Sequence, residues 1–388
     1  MRKTDVVVTT IFEPEWLAGY LDNMRQYARE NDVVIRIIAD KKTPPSVFEV
    51  ARQAVKNGFK IDCPSLDEQE SYIQRLGLPS GFIPWNTDNR RNIGFLRAWE
   101  SGADVLVSID DDNYCLPGSD FVGAHHVVGQ TLGELENADY ARDGKWFNIC
   151  SRLRAQVKDN YYARGFPYAA RAPEHEATIA SLHDDVSQTK IAVNAGLWLD
   201  DPDVDAMSRL VQGPRVTSAD PRSVVLAPEV WSPVNTQNTA LVRDAIPAYY
   251  YVRMGFPIQG MKIDRFGDIL SGYFLQKCAK HLGHAIRFGD PIAEHRRSPH
   301  NLFKDLFHEL AGMVVIEDML PWLRELKLEG GNYREAYASL ADAIYMQADR
   351  FNGFIWDDGG REFLKETAEC MRLWLHTIDR LDGKGGAL

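Results

Sequence analysis

The stretch Ser108-Ile109-Asp110-Asp111-Asp112-Asn113 constrains this chain more tightly than any other. This stretch, with its three consecutive carboxylates, follows directly on Ala103-Asp104-Val105-Leu106-Val107, an apolar run with the length and β-branched content of a buried strand. Carboxylates crowded in this way repel one another unless water or a cation screens them. A solvated acidic turn is one account. Hard oxygen ligands at the carboxyl end of a strand also suit Mg²⁺ or Mn²⁺, and such a metal is usually shared with phosphate groups. The strand in front of the acids favours the metal account.

The segments before it supply more of the same sheet. Residues 5–10 read as a first buried strand, 13–29 as a helix with Trp16, Leu17, Tyr20, Leu21, Met24 and Tyr27 along one side, and 33–40 as a second strand. Strand, helix and strand in this order make a βαβ unit with a right-handed crossover. Thr10 and Asp40 then stand at the carboxyl ends of strands, the edge where open α/β sheets bind ligands. Taken alone, Asp40 reads as a loop residue beside Lys41 and Lys42. A helix is expected over 44–57, a short strand over 59–61, and one short helix followed by loop over 64–84. Thr87 or Asp88 offers an N-cap for a helix that reaches Ser101, with Gly102 as its stop. Arg90 and Arg91 sit in its first turn, where the helix dipole prefers acids. An exposed pair is one reading, and a diphosphate between them and the acidic strand end is the other.

Further strands are expected at 147–150, 192–199, 223–227 and 285–288, the last followed by Glu294-His295-Arg296-Arg297. A helix follows Arg265-Phe266-Gly267-Asp268, and from Asn301 to Leu381 the pattern is helical apart from 329–332 and the loop around 356–360. The chain has 388 residues, too many for one simple core. It divides on this reading into an α/β domain over 1–298 and a helical region over 299–388, whose apolar positions serve core or self-association. Trp198 is read as core.

Several classes fall away. The net charge is -11 and no Lys/Arg run is long enough to track a nucleic-acid backbone. Cys63, Cys115, Cys150, Cys278 and Cys370 are odd in number, widely spaced and never in a C-x-x-C pair, against a disulfide framework or a zinc site. No apolar run approaches the ~20 residues of a membrane span, and the first residues enter a strand at once, leaving no room for a signal peptide. The cytoplasm is the default location. No G-x-G-x-x-G follows the first strand, which disfavours NAD and flavin, and P-loop, zincin and nucleophile-elbow motifs are missing. His175, Glu176, His183, Asp184 and Asp185 fit no standard metal spacing and read as a solvated loop. The glycines Gly383, Gly385 and Gly386 read as a frayed end.

A D-x-D at a strand end with a later His after another strand resembles the GT-A (Rossmann-like) nucleotide-sugar fold, a mixed sheet flanked by helices. Ser108 to Asp112, Arg164-Gly165-Phe166-Pro167-Tyr168 with Arg171, Gly196-Leu197-Trp198-Leu199 with Pro202-Asp203, Arg265 to Asp268, and His295 before Ser298-Pro299 narrow the resemblance to the reversibly glycosylated polypeptides. That family includes the plant UDP-arabinopyranose mutases. The resemblance implies a metal-dependent, flavin-free interconversion of pyranose and furanose forms of a UDP- or GDP-linked sugar. It implies metal ligands at Asp110, Asp112 and His295, with nucleotide contacts from Thr10, Asp40, Arg91, Asp110 and Arg164. It also implies a reversibly glycosylated Arg171, with Asp268 and Asp111 as catalytic partners and Asp200 or Asp201 as further candidates for the carboxylate that Arg171 needs. A clamp on phosphate or carboxylate is the alternative role for Arg171. The family carries another acid where Gly267 stands and plant members have Cys where Asn113 stands. Other functions compatible with these residues are a GT-A glycosyltransferase with a separate acceptor and a self-glycosylating protein.

Overall fold

Strand register places the acidic stretch. In the computed structural model, which describes residues 2–182, 186–258, 260–298 and 301–383, β1 (Thr4–Thr10) leads through α1 (Glu15–Gln26) to β2 (Val33–Ala39), and α2 (Pro45–Lys56) leads to β3 (Lys60–Asp62). After α3 (Leu66–Arg75) and a 3₁₀ turn at Asp88–Arg90, α4 (Arg91–Glu100) enters β4 (Val105–Asp110). These four strands are parallel in the order β3-β2-β1-β4. Thr10 pairs with Ala39 and Thr9 with Asp110, so Thr10, Asp40 and Asp110 finish on one edge. Strands β1, β2 and β4 are buried on both faces, which is why their sequences are nearly continuous apolar runs.

The chain continues through β5 (Asn113–Cys115), α5 (Phe121–His125), β6 (Ala138–Arg142), β7 (Leu153–Ala155), β8 (Thr178–Ser181), β9 (Ile191–Ala195) and β10 (Trp198–Asp200). It then forms α6 (Ala206–Val211), β11 (Val216–Ala219), β12 (Ser223–Leu226), β13 (Asn238–Val242), β14 (Phe256–Ile258) and β15 (Met261–Ile263). Next come α7 (Gly267–His281), β16 (Ala285–Phe288) and β17 (Ala293–His295). Strand β13 lies antiparallel to both β4 and β9, and the sheet extends to ten strands in the order β3-β2-β1-β4-β13-β9-β16-β12-β6-β8. The architecture is therefore the expected mixed sheet with connecting helices. A second sheet, β5-β17-β10-β11-β7, pairs His295 with Asn113 and so brings His295 beside Asp112.

The helical region consists of α8 (Leu302–Glu325), α9 (Tyr333–Ala348) and α10 (Arg361–Leu381). Helices α9 and α10 pack on each other, α9 packs on α7, and α10 packs on α4. Helix α8 packs on β15 and α6. No helix among the described residues is long and apolar enough to cross a membrane.

Two expected strands differ. Residues 147–150 do not form one: the Asn148 side chain accepts the Cys150 N–H at 3.1 Å and turns the chain into a 3₁₀ segment at Ile149–Arg152. The run 192–199 breaks at Gly196-Leu197, where Gly196 N–H bonds Asn238 O and Leu197 N–H bonds Asp290 O. A Cβ at Gly196 would lie 2.6 Å from the Asn238 amide, so the chain passes there only as glycine. It thereby crosses from the main sheet to the second one. His183, Asp184, Asp185, Pro299, Gly385 and Gly386 lie outside the described residues.

Candidate active site

A cleft of about 460 Å³ opens over the carboxyl ends of β1, β2 and β4. Its lining includes Thr10, Asp40, Arg91, Asp110, Asp111, Asp112, Arg164, Asp268 and His295, so these residues named from sequence meet in one place. Arg171 and the two further carboxylate candidates, Asp200 and Asp201, are not in that lining.

On the strand-end side, Arg91 is buried and both of its Nη atoms are engaged by protein, while its Nε has no partner among the described residues. Its Nη1 donates to Ser108 Oγ at 2.7 Å, Ile109 O at 2.9 Å and Thr236 O at 3.2 Å, and its Nη2 donates to Thr9 Oγ1 at 3.1 Å and Asp110 Oδ1 at 2.6 Å. Arg91 thus compensates the acids instead of presenting an open fork to phosphate, and Arg90 is likewise buried, stacked 3.4 Å from the Trp85 ring. The reading of an exposed arginine pair is corrected here: both are buried, and α4 begins at Arg91 with its basic side chain turned back onto β4. Enclosure by protein pushes the Asp110 carboxyl up to about 7; Arg91 opposes the rise, while Asp112, Asp88 and Asp268 add to it. Enclosure also pushes Asp111 up to about 6, against stabilising contacts from Thr10 and the Ile11 N–H. Asp40 accepts Lys41 N–H at 2.6 Å and Asn86 N–H at 2.7 Å, which fixes its carboxylate at the end of β2. Thr10 Oγ1 lies 3.3 Å from Phe12 N.

His295 lies across from these acids. Its Nδ1 bonds the carbonyl of Asp201, and its Nε2 lies 3.1 Å from Asp112 Oδ2. A carbonyl accepts only, so Nδ1 carries the proton and Nε2 points its lone pair at a carboxylate. Two acceptors face each other unless a proton or a cation stands between them. Burial disfavours the imidazolium, but the Asp112 contact outweighs it and raises the pKa of His295. Asp110 gives one oxygen to Arg91 and has no hydrogen bond on the other among the described residues. Imidazole nitrogen with two carboxylates is a donor set that fits a hard divalent ion. Among the described residues no group of three or more His, Cys, Asp or Glu side chains stands pre-assembled around one point, so Asp110 would have to swing to complete it.

The opposite side of the cleft is organised around Arg164. Two carboxylates grip its guanidinium edge-on: Asp203 at 2.8 and 3.0 Å, and Asp268 at 2.7 and 3.0 Å. The Arg265 carbonyl accepts a further bond from Nη1. Asp203 also accepts from Asn235 at 2.7 Å, and its carboxyl is held well below the usual range, burial being outweighed by Arg164. The same pair keeps Arg164 firmly protonated at rest in spite of its burial. Local sequence explains the placement. Gly165 has φ +85°, and a Cβ there would lie 2.3 Å from Ile269 Cγ2, so glycine lets the loop press against the first turn of α7. Tyr273, one helical turn further, donates to Gly165 O at 2.9 Å and locks that approach. Asp268 is thereby set against Arg164. A Cβ at Gly267 would lie 2.4 Å from Val252 O, so no second acid fits beside Asp268 in this backbone.

Arg171 points elsewhere. It pairs with Asp205 at 2.6 Å, donates to Ser208 Oγ at 3.1 Å and lies 3.6 Å from the Tyr168 ring centre and 5.1 Å from that of Tyr162. Asp205 is the N-cap of α6 and is 1% exposed. The carboxylate beside Arg171 is therefore Asp205, not Asp268, Asp200 or Asp201. Asp200 pairs with Arg215, and Asp201 with Arg209. Trp198 is buried, as expected of core. Sequence reading missed Asp88, Asp203, Arg209, Asp264, Arg265, Arg297 and Glu309 as cleft residues. Asp203, Arg265 and Arg297 stood inside stretches already singled out, whereas Glu309 has no local signal: it is an acid on a helix, buried only because α8 meets α6.

The chain matches the signature of the family described as "Reversibly glycosylated polypeptide" over residues 1–381. It is 25% identical over 384 residues to a probable UDP-arabinopyranose mutase 4 of Arabidopsis thaliana, covering 97% of this chain and 91% of that protein. It is 27% identical over 333 residues to UDP-arabinopyranose mutase 1 of the same plant, covering 85% and 82%. Among solved structures it is similar to glucosyl-3-phosphoglycerate synthase from Mycobacterium tuberculosis in complex with Mn²⁺, UDP-glucose and phosphoglyceric acid. That likeness has a TM-score of 0.41 and 12% identity and covers 82% of this chain and 81% of that one.

Proposed function

The chain belongs to the reversibly glycosylated polypeptide family, and from that premise we propose that it is a flavin-free mutase interconverting pyranose and furanose forms of a UDP-linked sugar. The relatives' names support UDP over GDP as the nucleotide. The observation that carries the reading is the placement of Arg164, gripped by two carboxylates in the same cleft as Asp110, Asp112 and His295. An acidic strand end alone would serve many nucleotide-sugar enzymes, but a buried arginine with two proton acceptors offers a route to a sugar held by the protein.

Asp110, Asp112 and His295 would hold a divalent cation, Mn²⁺ or Mg²⁺, which when bound neutralises the diphosphate and makes it a better leaving group. Arg164 then receives the sugar. A guanidinium nitrogen forms a bond to the anomeric carbon, the bond from that carbon to the diphosphate oxygen breaks, and its electron pair leaves with the diphosphate. Protonated guanidinium is a poor nucleophile, so the nitrogen's proton passes to Asp268, which accepts from both Nη atoms, as the new bond forms. The bond from the anomeric carbon to the ring oxygen breaks as a carbon–nitrogen double bond forms and an N–H proton passes to that oxygen; a different hydroxyl then adds to the carbon and its proton returns to the nitrogen. The diphosphate oxygen returns to the anomeric carbon, the carbon–nitrogen bond breaks and the carboxylate returns the proton. In this assignment Arg164 takes the role first given to Arg171, because Arg171 has its charge satisfied by Asp205 away from the cleft lining.

The test is to incubate purified protein with Mn²⁺ and UDP-sugars and separate ring isomers without any acceptor. Isomer formation is expected, together with a sugar adduct on the peptide carrying Arg164 in mass spectrometry. Transfer to an added acceptor with no isomer from any UDP-sugar would make the protein a transferase. An adduct on Arg171 would overturn the assignment of the arginine.

A further inference from the structure

Three more arginines, none of them given a role so far, line the cleft: Arg209 from α6, Arg265 before α7 and Arg297 after β17. They come from separate segments, yet Arg209 and Arg265 lie close enough to Arg297 to act on its charge. Like charges gather at one wall only where something holds them, and each is tethered from behind. Arg209 is held by Asp201 and the Pro202 carbonyl, and Arg297 by Asp305 at 2.9 Å. Arg265 is held by Glu309 at 3.2 Å and, more loosely, by Asp305 at 3.4 Å. The tethers leave donors over. Arg297 Nε and Nη1 and Arg265 Nη2 make no hydrogen bond among the described residues, and Arg209 Nε is buried without a partner. Unused guanidinium donors in an enclosed cleft are the expected mark of an anion site.

Its position narrows the ligand. Asp201, which holds Arg209, also gives its carbonyl to His295 Nδ1, and Arg297 lies two residues beyond His295 on the exit of β17. Arg265 gives its carbonyl to Arg164. The trio therefore sits between the His295–Asp112 pair on one side and Arg164 on the other. Arg91, the strand-end candidate for phosphate, has spent its Nη donors on β4 and its neighbours.

We infer that Arg209, Arg265 and Arg297 form the binding site for the diphosphate of the nucleotide sugar and retain the departed nucleoside diphosphate until the sugar is handed back. The anion site rests on geometry, and its assignment to the diphosphate of a nucleotide sugar and the retention step rest on the mutase reading. Retention is what separates a mutase from a transferase: the leaving group must wait beside Arg164 while the ring recloses. The anion is recognised by forked donors, so planar guanidinium geometry matters and lysine is an incomplete substitute.

The test uses the full chain with inorganic pyrophosphate, UDP and uridine as probes in calorimetric titrations, with and without Mn²⁺. Arg297→Gln and Arg265→Gln are expected to weaken pyrophosphate and UDP binding at least about tenfold each, one charge-assisted contact's worth, with uridine binding unchanged. Arg297→Lys should recover only part of the loss. Circular dichroism melts report whether each variant is folded; Arg265, a third exposed, is the variant less tied to packing. For retention, labelled UDP is added during turnover: wild type should incorporate little label into UDP-sugar, and the variants several-fold more per isomerisation. Unchanged pyrophosphate and UDP affinity in folded Arg297→Gln and Arg265→Gln would overturn the site. Loss of uridine binding in step with pyrophosphate would mean a general collapse of the cleft and would overturn it too. If arginine-dependent pyrophosphate binding holds while no UDP-sugar is isomerised, the mutase reading fails and the diphosphate site stands.

Discussion

Along one wall of the cleft, Thr10, Asp40 and Asp110 are placed by nothing more than the register of β1 against β2 and β4. Along the other, Arg164, Asp203, Arg265, Asp268 and Glu309 arrive from a loop, a strand exit, a left-handed turn at φ +58°, the first turn of α7 and the middle of α8. The first wall is built from local regularity, and each acid is anchored by backbone or by one buried arginine. The second is built from ion pairs between distant segments: Arg164 with Asp203 and Asp268, Arg265 with Glu309, and Glu309 in turn accepting the Ala206 N–H at 2.7 Å. A strand edge can be shared by many folds of this kind, whereas the second wall exists only when this particular set of loops is folded together. On the proposed reading the cation's carboxylates belong to the first wall, and Arg164 and Arg265, which would meet the sugar and the diphosphate, to the second.

The sharpest way to break that division is Arg164→Ala. It should reduce isomerisation at least about 10³-fold while leaving Mn²⁺ binding near the wild-type level, because the metal side is the other wall. Titration of Mn²⁺ by calorimetry alongside a ring-isomer assay measures both. Loss of both together would show that the walls are one cooperative unit.

Sequence and structure agreed most where periodicity does the work. The βαβ unit, the strand before the acids and the helical end follow from spacing and burial that depend on near neighbours in the chain. The acids Asp110 to Asp112 were legible because a strand end fixes where they point. His295 was reached only through resemblance, since its partner strand β5 pairs with it from far away in sequence. Resemblance gave Arg171 the sugar and Arg164 the nucleotide, although both belong to one short motif that by itself does not say which arginine faces the cleft. What separates them is tertiary: Gly165 at φ +85° presses Arg164 against α7, whereas the 3₁₀ turn at Tyr168–Ala170 swings Arg171 towards the N-terminus of α6. Glu309 was invisible, because an acid on a helix is normally solvated and only the packing of α8 on α6 buries it.

A smaller effect is expected on the first wall. Asp112→Asn removes the carboxylate facing His295 Nε2 and should weaken Mn²⁺ binding about 10- to 100-fold. In the wild type the affinity should rise with pH. Asp111 and Asp110 titrate near about 6 and about 7, so below both values they are protonated and meet the cation as neutral acids, and above both they meet it as anions. Titrations between pH 5 and pH 8 read the slope; a flat profile would mean that neither acid contributes to the cation's site.

Gly165→Ala probes the second wall without touching a charge. The new methyl must push on Ile269 and adopt a positive φ, costing about 1–3 kcal/mol of stability and shifting Arg164 relative to Asp268. Turnover should fall about tenfold at saturating substrate, with Mn²⁺ affinity unchanged, since displacement and not loss of the guanidinium is the cause. An unaffected turnover would mean that the position of Arg164 is tolerant, which a covalent role forbids.

Arg171→Ala gives the smallest expected loss of turnover and the clearest contrast. Its guanidinium is the partner of Asp205, a buried cap, so removing it leaves that carboxylate with only the Tyr168 hydroxyl at 2.7 Å and the Ser208 N–H at 2.7 Å. Stability should fall by about 2–3 kcal/mol, visible as a lower melting temperature, because a buried charge has lost its counter-ion. Assayed at a temperature where the variant is still folded, turnover should exceed that of Arg164→Ala at least about tenfold. Arg171→Lys, which keeps a charge beside Asp205, should recover most of the melting temperature. Should Arg171→Lys melt like the wild type and yet turn over as poorly as Arg164→Ala, stability could not be the reason, and Arg171 would have to reach the sugar after a movement of the 164–171 loop. The motif would then carry two reacting arginines, and the second wall would be larger than the cleft that now displays it.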